Sequence, residues 1–228
     1  MEVEMKAWVS PVQVYELLNL KKSTGFDICN PFLIEKLYKK DVYYSFNGDV
    51  LKGPKRIIRI RTENSALIKQ GVETVNVCEI SPTDFTHPAK TYLTVKERHT
   101  DESGIETNKE YESILNKETE NTLTKVLEIA NFKPYFTKSK GSISFFVNRI
   151  SDNKQLHCEI VAVNGLGPLL EVEVFAPGSH YDIVTEHMCE SVADAKELLK
   201  EFFWKVVQID EDGLEKRPWP DIINGITS

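Results

Sequence analysis

The stretch Glu2-Val3-Glu4-Met5-Lys6 alternates charged side chains with apolar ones. In an extended chain successive side chains point to opposite faces, so the two carboxylates and the ammonium share one face while Val3 and Met5 share the other. Taken alone, this describes a strand with one solvated face. A second reading, a site for metal and phosphate, gains weight only if the alternation recurs. It does. Arg56-Ile57-Ile58-Arg59-Ile60-Arg61 aligns Arg59 with Arg61, a pair that fits surface charge and bidentate phosphate ligands equally well. Thr91–Lys96 brings Tyr92, Thr94 and Lys96 to one side, and Asn108–Glu112 does the same for Glu110 and Glu112. Lys138 and Lys140 share a face, as do Glu171 and Glu173.

Composition narrows the function classes. The chain has 228 residues and is read as one domain spanning 1–228, within the range of a single β-barrel. A formal net charge of −7 argues against nonspecific binding of nucleic acid or anionic membranes, so any anion site must be a local basic patch. No apolar run approaches the roughly 20 residues needed to span a bilayer. The N-terminus lacks the pattern of a secretory signal and passes directly into a charged strand. Cys29, Cys78, Cys158 and Cys189 are scattered without C-x-x-C spacing, the usage expected of reduced thiols in the cytoplasm. His87, His99, His157, His180 and His187 show no familiar metal-ligand spacing.

Around these strands the chain reads as follows. Ser10, Pro11 and Gln13 open a helix running to about Leu20. Lys21–Gly25 carries P-loop residue types in the wrong order and reads as a polar loop. Leu33–Phe46 is extended and leads to a turn at Asn47-Gly48-Asp49. Residues 62–88 read as an irregular insertion with a weak strand near Val75–Ile80, and a polar turn is expected at Asp101–Gly104. A helix is expected over Thr119–Ala130, and strands over Phe132–Lys140, Ile143–Arg149 and Leu156–Val163. Gly165-Leu166-Gly167 reads as a turn. A helix over Ser191–Gln208 carries an apolar stripe of Ala195, Leu198, Leu199, Phe202, Phe203 and Val206. The stretch Arg217-Pro218-Trp219-Pro220 reads as a non-helical tail docked by its tryptophan.

Barrels usually point their apolar side chains inward. The alternations here suit the opposite arrangement, with apolar faces packed against outer helices and charged faces lining a water-filled tunnel. Enclosed carboxylates and cations are costly unless paired, solvated or occupied by ligands. A polyanion carrying hard divalent cations satisfies both sets, because oxygen ligands suit magnesium or manganese and Arg/Lys suit phosphate.

The ordered set of motifs resembles the CYTH, or triphosphate tunnel metalloenzyme, superfamily. Glu2–Lys6 matches its E-x-E-x-K signature, and Asp41-Val42-Tyr43-Tyr44 is similar to its D-x-Y-F strand. Ile58–Arg61, Leu93–Lys96 and Lys109–Glu112 are similar to its L-R-x-R, L-T-x-K and R-E-x-E strands. Phe132-Lys133-Pro134 with Lys138-Ser139-Lys140 resembles G-F-x-P…K-x-R, and Gly165–Glu173 resembles G-L-G…E-x-E. The resemblance implies an α+β fold, an eight-stranded antiparallel β-barrel with helices packed outside, open at both ends and holding a triphosphate inside.

It also implies roles. Glu2, Glu4, Glu171 and Glu173 would hold catalytic metal, two Mg2+ or Mn2+ ions, and Glu110 and Glu112 would serve a metal or water. Lys6, Arg59, Arg61, Lys96, Lys138 and Lys140 would grip phosphate oxygens, with Glu2, Glu4 and Lys6 as the catalytic set. Three departures stand out. Lys140 replaces the usual arginine; Val161 occupies a position where many members carry aspartate, so that either Glu159 is the substitute ligand or that ligand is absent; and the 62–88 insertion is long enough to cover a tunnel mouth. The implied activity is hydrolysis of a linear triphosphate, first inorganic tripolyphosphate, by metal-activated water. Alternatives are a class IV adenylyl cyclase acting on ATP and a non-catalytic polyphosphate-binding module. The implied partner is a small-molecule triphosphate rather than nucleic acid or membrane, with a homodimer left open.

Overall fold

The computed structural model describes residues 1–20, 22–29, 34–48, 56–68, 76–102, 105–177, 187–217 and 219–227. Parts of several expected features (Lys21, Leu33, Asp49, 69–75, Ser103, Gly104 and Pro218) lie outside the described residues. The strands are β1 (Glu2–Trp8), β2 (Phe26–Ile28), β3 (Ile34–Phe46), β4 (Arg56–Ile68), β5 (Lys90–Thr100), β6 (Glu106–Leu115), β7 (Phe132–Arg149), β8 (Gln155–Val163) and β9 (Leu166–Phe175). The helices are α1 (Pro11–Leu18), α2 (Lys117–Ile129), α3 (Val192–Phe202) and α4 (Trp219–Thr227).

Eight strands pair antiparallel in the order β7-β3-β4-β5-β6-β1-β9-β8, and β8 returns to β7 to close the barrel. The short β2 extends the sheet beside the far end of β7, where Asp27 lies opposite Asn148. The fold is therefore α+β, a closed eight-stranded antiparallel barrel with helices outside.

The core lies outside the barrel wall. Val3, Met5 and Ala7 of β1, Ile143, Phe145 and Val147 of β7, Cys158, Ile160 and Ala162 of β8, and Leu170, Val172 and Val174 of β9 are all buried. They form one cluster with Leu17 of α1 and with Ala195, Leu198, Leu199 and Phe202 of α3. Period-2 alternation in the strands thus meets period-3.6 alternation in the helices. Both helices are punctuated as their sequences require: Ser10 and Gln13 cap each other reciprocally at α1, with Pro11 opening it, and Ser191 accepts from Asp194 N at α3. The hairpin between β8 and β9 turns through Asn164 and Gly165, both at positive φ, the region glycine and asparagine tolerate best.

Four expectations are corrected. Residues 62–68 are not loop: β4 runs on to Ile68 because β3 supplies a partner along its length, from Tyr44↔Ile58 to Ile34↔Ile68. The weak strand at Val75–Ile80 is instead a 3-10 turn at Val77–Glu79. This described part of the insertion packs on the outer wall, where Val77 and Ile80 join the core and a Cβ on Gly141 would meet Val77 O at 2.6 Å. The helix expected over Ser191–Gln208 ends at Phe202, continues as a π turn over Phe203–Val207 and stops at Gln208 in left-handed conformation. The tail is helical: α4 begins at Trp219, and Pro220 fits there because a first-turn residue needs no intrahelical N–H bond.

Candidate functional site

Strand parity decides which side chains enter the barrel. Glu4 lies opposite Glu173, Lys6 opposite Glu171, and Glu171 opposite Glu159, so these groups share the inner face of β1, β9 and β8. Asp41 stands between Arg61 of β4 and Lys138 of β7, while Lys96 stands opposite Glu110. The result is a cavity of about 430 Å³. It is lined by all of the residues singled out from sequence: Glu2, Glu4, Lys6, Arg59, Arg61, Lys96, Glu110, Glu112, Lys138, Lys140, Glu159, Glu171 and Glu173.

The carboxylates fall into two groups. Glu110, Glu159 and Glu171 are held by cations. Lys96 Nζ reaches Glu110 at 2.7 Å, while Lys140 Nζ contacts Glu159 at 2.9 Å and Glu171 at 2.5 Å. Burial alone would push these acids up, yet the lysines win: Glu110 and Glu171 are held at about 2, and Glu159 falls well below the usual range. Glu159 is further occupied by Lys39 at 2.8 Å and by the Ser142 hydroxyl, which donates to it at 2.5 Å. Glu112 accepts from Thr94 Oγ1 at 2.9 Å.

Glu2 and Glu4 behave oppositely. Burial, then crowding by Glu173, Glu110 and Glu4, pushes Glu2 well above the usual carboxylate range against the pull of Lys96. Burial and Glu106 push Glu4 up to about 7. Oxygens of Glu2, Glu4 and Glu173 can all lie within 4.8 Å of one another, the one such convergent set among the described residues. Carboxylates crowded together with too little positive charge are the donor set a hard divalent cation takes. Asn108 supports the set from within the wall: its Nδ2 donates to Glu2 Oε1 at 3.0 Å, while its buried Oδ1 has no hydrogen-bond partner. These residues fit a magnesium or manganese ion.

The cations are arranged just as unevenly. Arg61 forks onto Asp41 through Nε at 2.7 Å and Nη2 at 3.1 Å, which leaves only part of its guanidinium for a ligand. Arg59 donates to Thr94 at 3.0 Å, and its buried Nε has no partner, a donor wanting an acceptor. Lys138 is pushed down to about 7 by burial despite Asp41 at 3.7 Å, and aromatic rings of Tyr43 and Trp219 lie 5.7 and 5.3 Å from its ammonium. Lys6 is tied to Glu106 at 2.9 Å.

Sequence reasoning missed several lining residues. Lys39, Arg98, Glu106 and His157 lie two residues from a residue it had placed or quoted, or continue that phase, so extending each alternation finds them. Asp41 entered only as part of a motif. Trp219 had no such signal. Its indole N–H donates to Glu171 Oε1 at 2.6 Å, and it packs with Ile222 against Val161, Val163 and Leu169. Those three residues are in phase with the inward-facing Glu159 and Glu171, so α4 stoppers the lumen at the β8–β9 hairpin. The tunnel expected to be open at both ends is closed at this one, and Val161 serves that seal.

No family of known sequences matches the chain, and no curated protein does. Solved structures do. The PH1819 protein of Pyrococcus horikoshii OT3 superposes with a TM-score of 0.62 at 15% identity, covering 99% of each chain. A protein of Vibrio parahaemolyticus proposed to be an adenylate cyclase gives 0.56 at 14% identity, covering 98% of this chain and 97% of its own. A proposed adenylyl cyclase of Hippeastrum, described as having a dominant triphosphatase activity, gives 0.54 at 13% identity over 99% and 96%. Among the described residues no helix is long and apolar enough to cross a membrane.

Proposed function

We propose that this chain, which has the fold of the CYTH or triphosphate tunnel metalloenzyme superfamily, hydrolyses a linear triphosphate with the help of Mg2+ or Mn2+, inorganic tripolyphosphate being the first substrate. The observation that carries the reading is one cavity in which the Glu2, Glu4 and Glu173 carboxylates converge beside Lys6, Arg59, Arg61, Lys96, Lys138 and Lys140. A protein that stored polyphosphate would need the cations alone.

Glu2, Glu4 and Glu173 would hold the ion, which when bound supplies Lewis acidity toward phosphoryl oxygen and a lowered pKa for water. A second ion would come with the substrate, since among the described residues there is one convergent carboxylate set and magnesium commonly bridges protein carboxylates to phosphate. Lys96, within 3.1 Å of Glu2 and 3.7 Å of Glu4, keeps the two from splaying apart. Arg59, Lys138 and Lys140 would balance the charge of the transferring phosphoryl group inside a wall that excludes bulk water. Glu110 and Glu112, on β6 beside β1, would orient the attacking water.

A second reading draws on the aromatic lining. Phe146 and Phe175 border the cavity as aromatic lining that would suit adenine, and the likeness to the Vibrio parahaemolyticus protein proposed to be an adenylate cyclase points the same way. Incubating the protein with Mg2+ or Mn2+ and either tripolyphosphate or ATP separates the readings. Orthophosphate from tripolyphosphate without cyclic AMP from ATP is the expected result. Cyclic AMP with pyrophosphate would replace it by the cyclase, and tight binding without product would leave a polyphosphate-binding module.

A further inference from the structure

His157 is a lining residue with no part in the chemistry above, and its surroundings are specific. It sits on β8 opposite Glu173 of β9 and Phe146 of β7. Its ring packs on Phe146 with centroids 4.9 Å apart and planes inclined by 32°. Nε2 lies 2.7 Å from the hydroxyl of Ser144, itself a buried residue, and Nδ1 lies 3.1 Å from Glu173 Oε2. An ionised carboxylate can only accept, so Nδ1 carries a proton toward Glu173, and Nε2 pairs with the Ser144 hydroxyl, which can donate or accept. Both ring nitrogens are then committed. His157 cannot be a metal ligand in this arrangement, but it fixes one.

The three convergent carboxylates differ in how they are anchored. Glu2 accepts from Asn108 at 3.0 Å and from Lys96 at 3.1 Å, and Glu4 has Lys96 at 3.7 Å. Among the described residues, the side chain that holds Glu173 is His157. We infer that His157, clamped by Ser144 and Phe146, is the positioning residue that aims the Glu173 carboxylate at the divalent-cation site and so sets its affinity. The inference rests on the metal-site reading above. Groups that orient a metal's ligands commonly change its affinity by about 10–100-fold when removed.

The test is calorimetric binding of Mn2+ to metal-free protein without any substrate, alongside melting of each variant in EDTA. Wild type should bind. His157→Ala should bind about 10–100-fold more weakly, whereas His157→Asn, whose amide can donate from near the Nδ1 position, should recover most of the affinity. Ser144→Ala, which leaves the ring but frees Nε2, should weaken binding by a smaller factor and covers the case in which His157→Ala melts early. Wild-type binding with unchanged affinity in folded His157→Ala or Ser144→Ala would overturn the inference alone. Failure of wild type to bind Mn2+ would overturn the metal site and, with it, the role of His157.

Discussion

Glu4→Gln makes the sharpest demand on the electrostatics of the cavity. In the metal-free protein Glu4 is pushed from 4.5 up to about 7 by burial and by Glu106. A carboxyl raised on folding binds its proton more tightly in the native state. The stability this gives is complete below about 4.5 and is lost as pH climbs through about 7. At about 1.4 kcal/mol per unit, the loss by pH 8.5 is about 3 kcal/mol. Glutamine keeps the shape without the charge. Glu4→Gln should therefore be about 3 kcal/mol more stable than wild type at pH 8.5 in EDTA, a rise of roughly 6–12 °C in melting temperature for a domain of this size, with little difference near pH 4.5. Urea denaturation at the two pH values, followed by far-ultraviolet circular dichroism, measures it. Excess Mn2+ should stabilise wild type at pH 8.5 and not the variant. A variant no more stable than wild type at pH 8.5, or equally favoured at both pH values, would refute the account of Glu4 as a buried charge awaiting a cation.

Arg61→Ala should cost about 1.5–3 kcal/mol in urea denaturation because it removes the two hydrogen bonds that Arg61 donates to the fully buried Asp41, leaving Arg59 at 3.8 Å and Lys138 at 3.7 Å as its nearest cations, and adding Asp41→Asn should restore part of that. Lys138, pushed down to about 7, is mostly neutral at pH 8.5 in the free protein. A bound polyanion favours its charged form, so binding of tripolyphosphate should take up a proton at pH 8.5 and none at pH 5.5. Calorimetry in buffers of different ionisation enthalpy reads this, and Lys138→Met should abolish the uptake. Trp219→Ala should cost about 3–5 kcal/mol, the usual loss for a buried tryptophan. It should also let polyphosphate chains longer than tripolyphosphate be cleaved, as measured by product length on gels, while Trp219→Phe keeps them excluded.

What the amino-acid order reveals here follows from the period of a strand. Glu2/Glu4/Lys6 and Glu171/Glu173 announce their shared face because apolar residues separate them, and that contrast places them in one cavity. Lys39 and Asp41 are hidden by Lys40 between them, a charged residue on the outer face that erases the contrast. Thr62–Ile68 looked like loop since Thr-Glu-Asn-Ser-Ala has weak strand preference; pairing with β3 overrides it. Which carboxylates are short of positive charge is also invisible in the order, because Lys140 of β7 reaches Glu159 on the neighbouring β8 and Glu171 one strand further, on β9. Trp219 is a case of its own. Nothing local distinguishes it from a surface tail, and its place depends on an apolar rim made by Val161, Val163 and Leu169 far back in the chain.

That rim turns a passage into a blind alley. With α4 seated in one end, whatever reaches the carboxylates must leave by the route it came in. For the hydrolysis proposed above, traffic would then be last in, first out: the fragment nearer the doorway would depart first, and the one lodged against Trp219 would wait behind it. A linear chain could not be drawn through and trimmed from a moving end, so each turnover would begin with a fresh encounter. The innermost product, next to Lys138 and Lys140, would be the natural competitor of the next substrate.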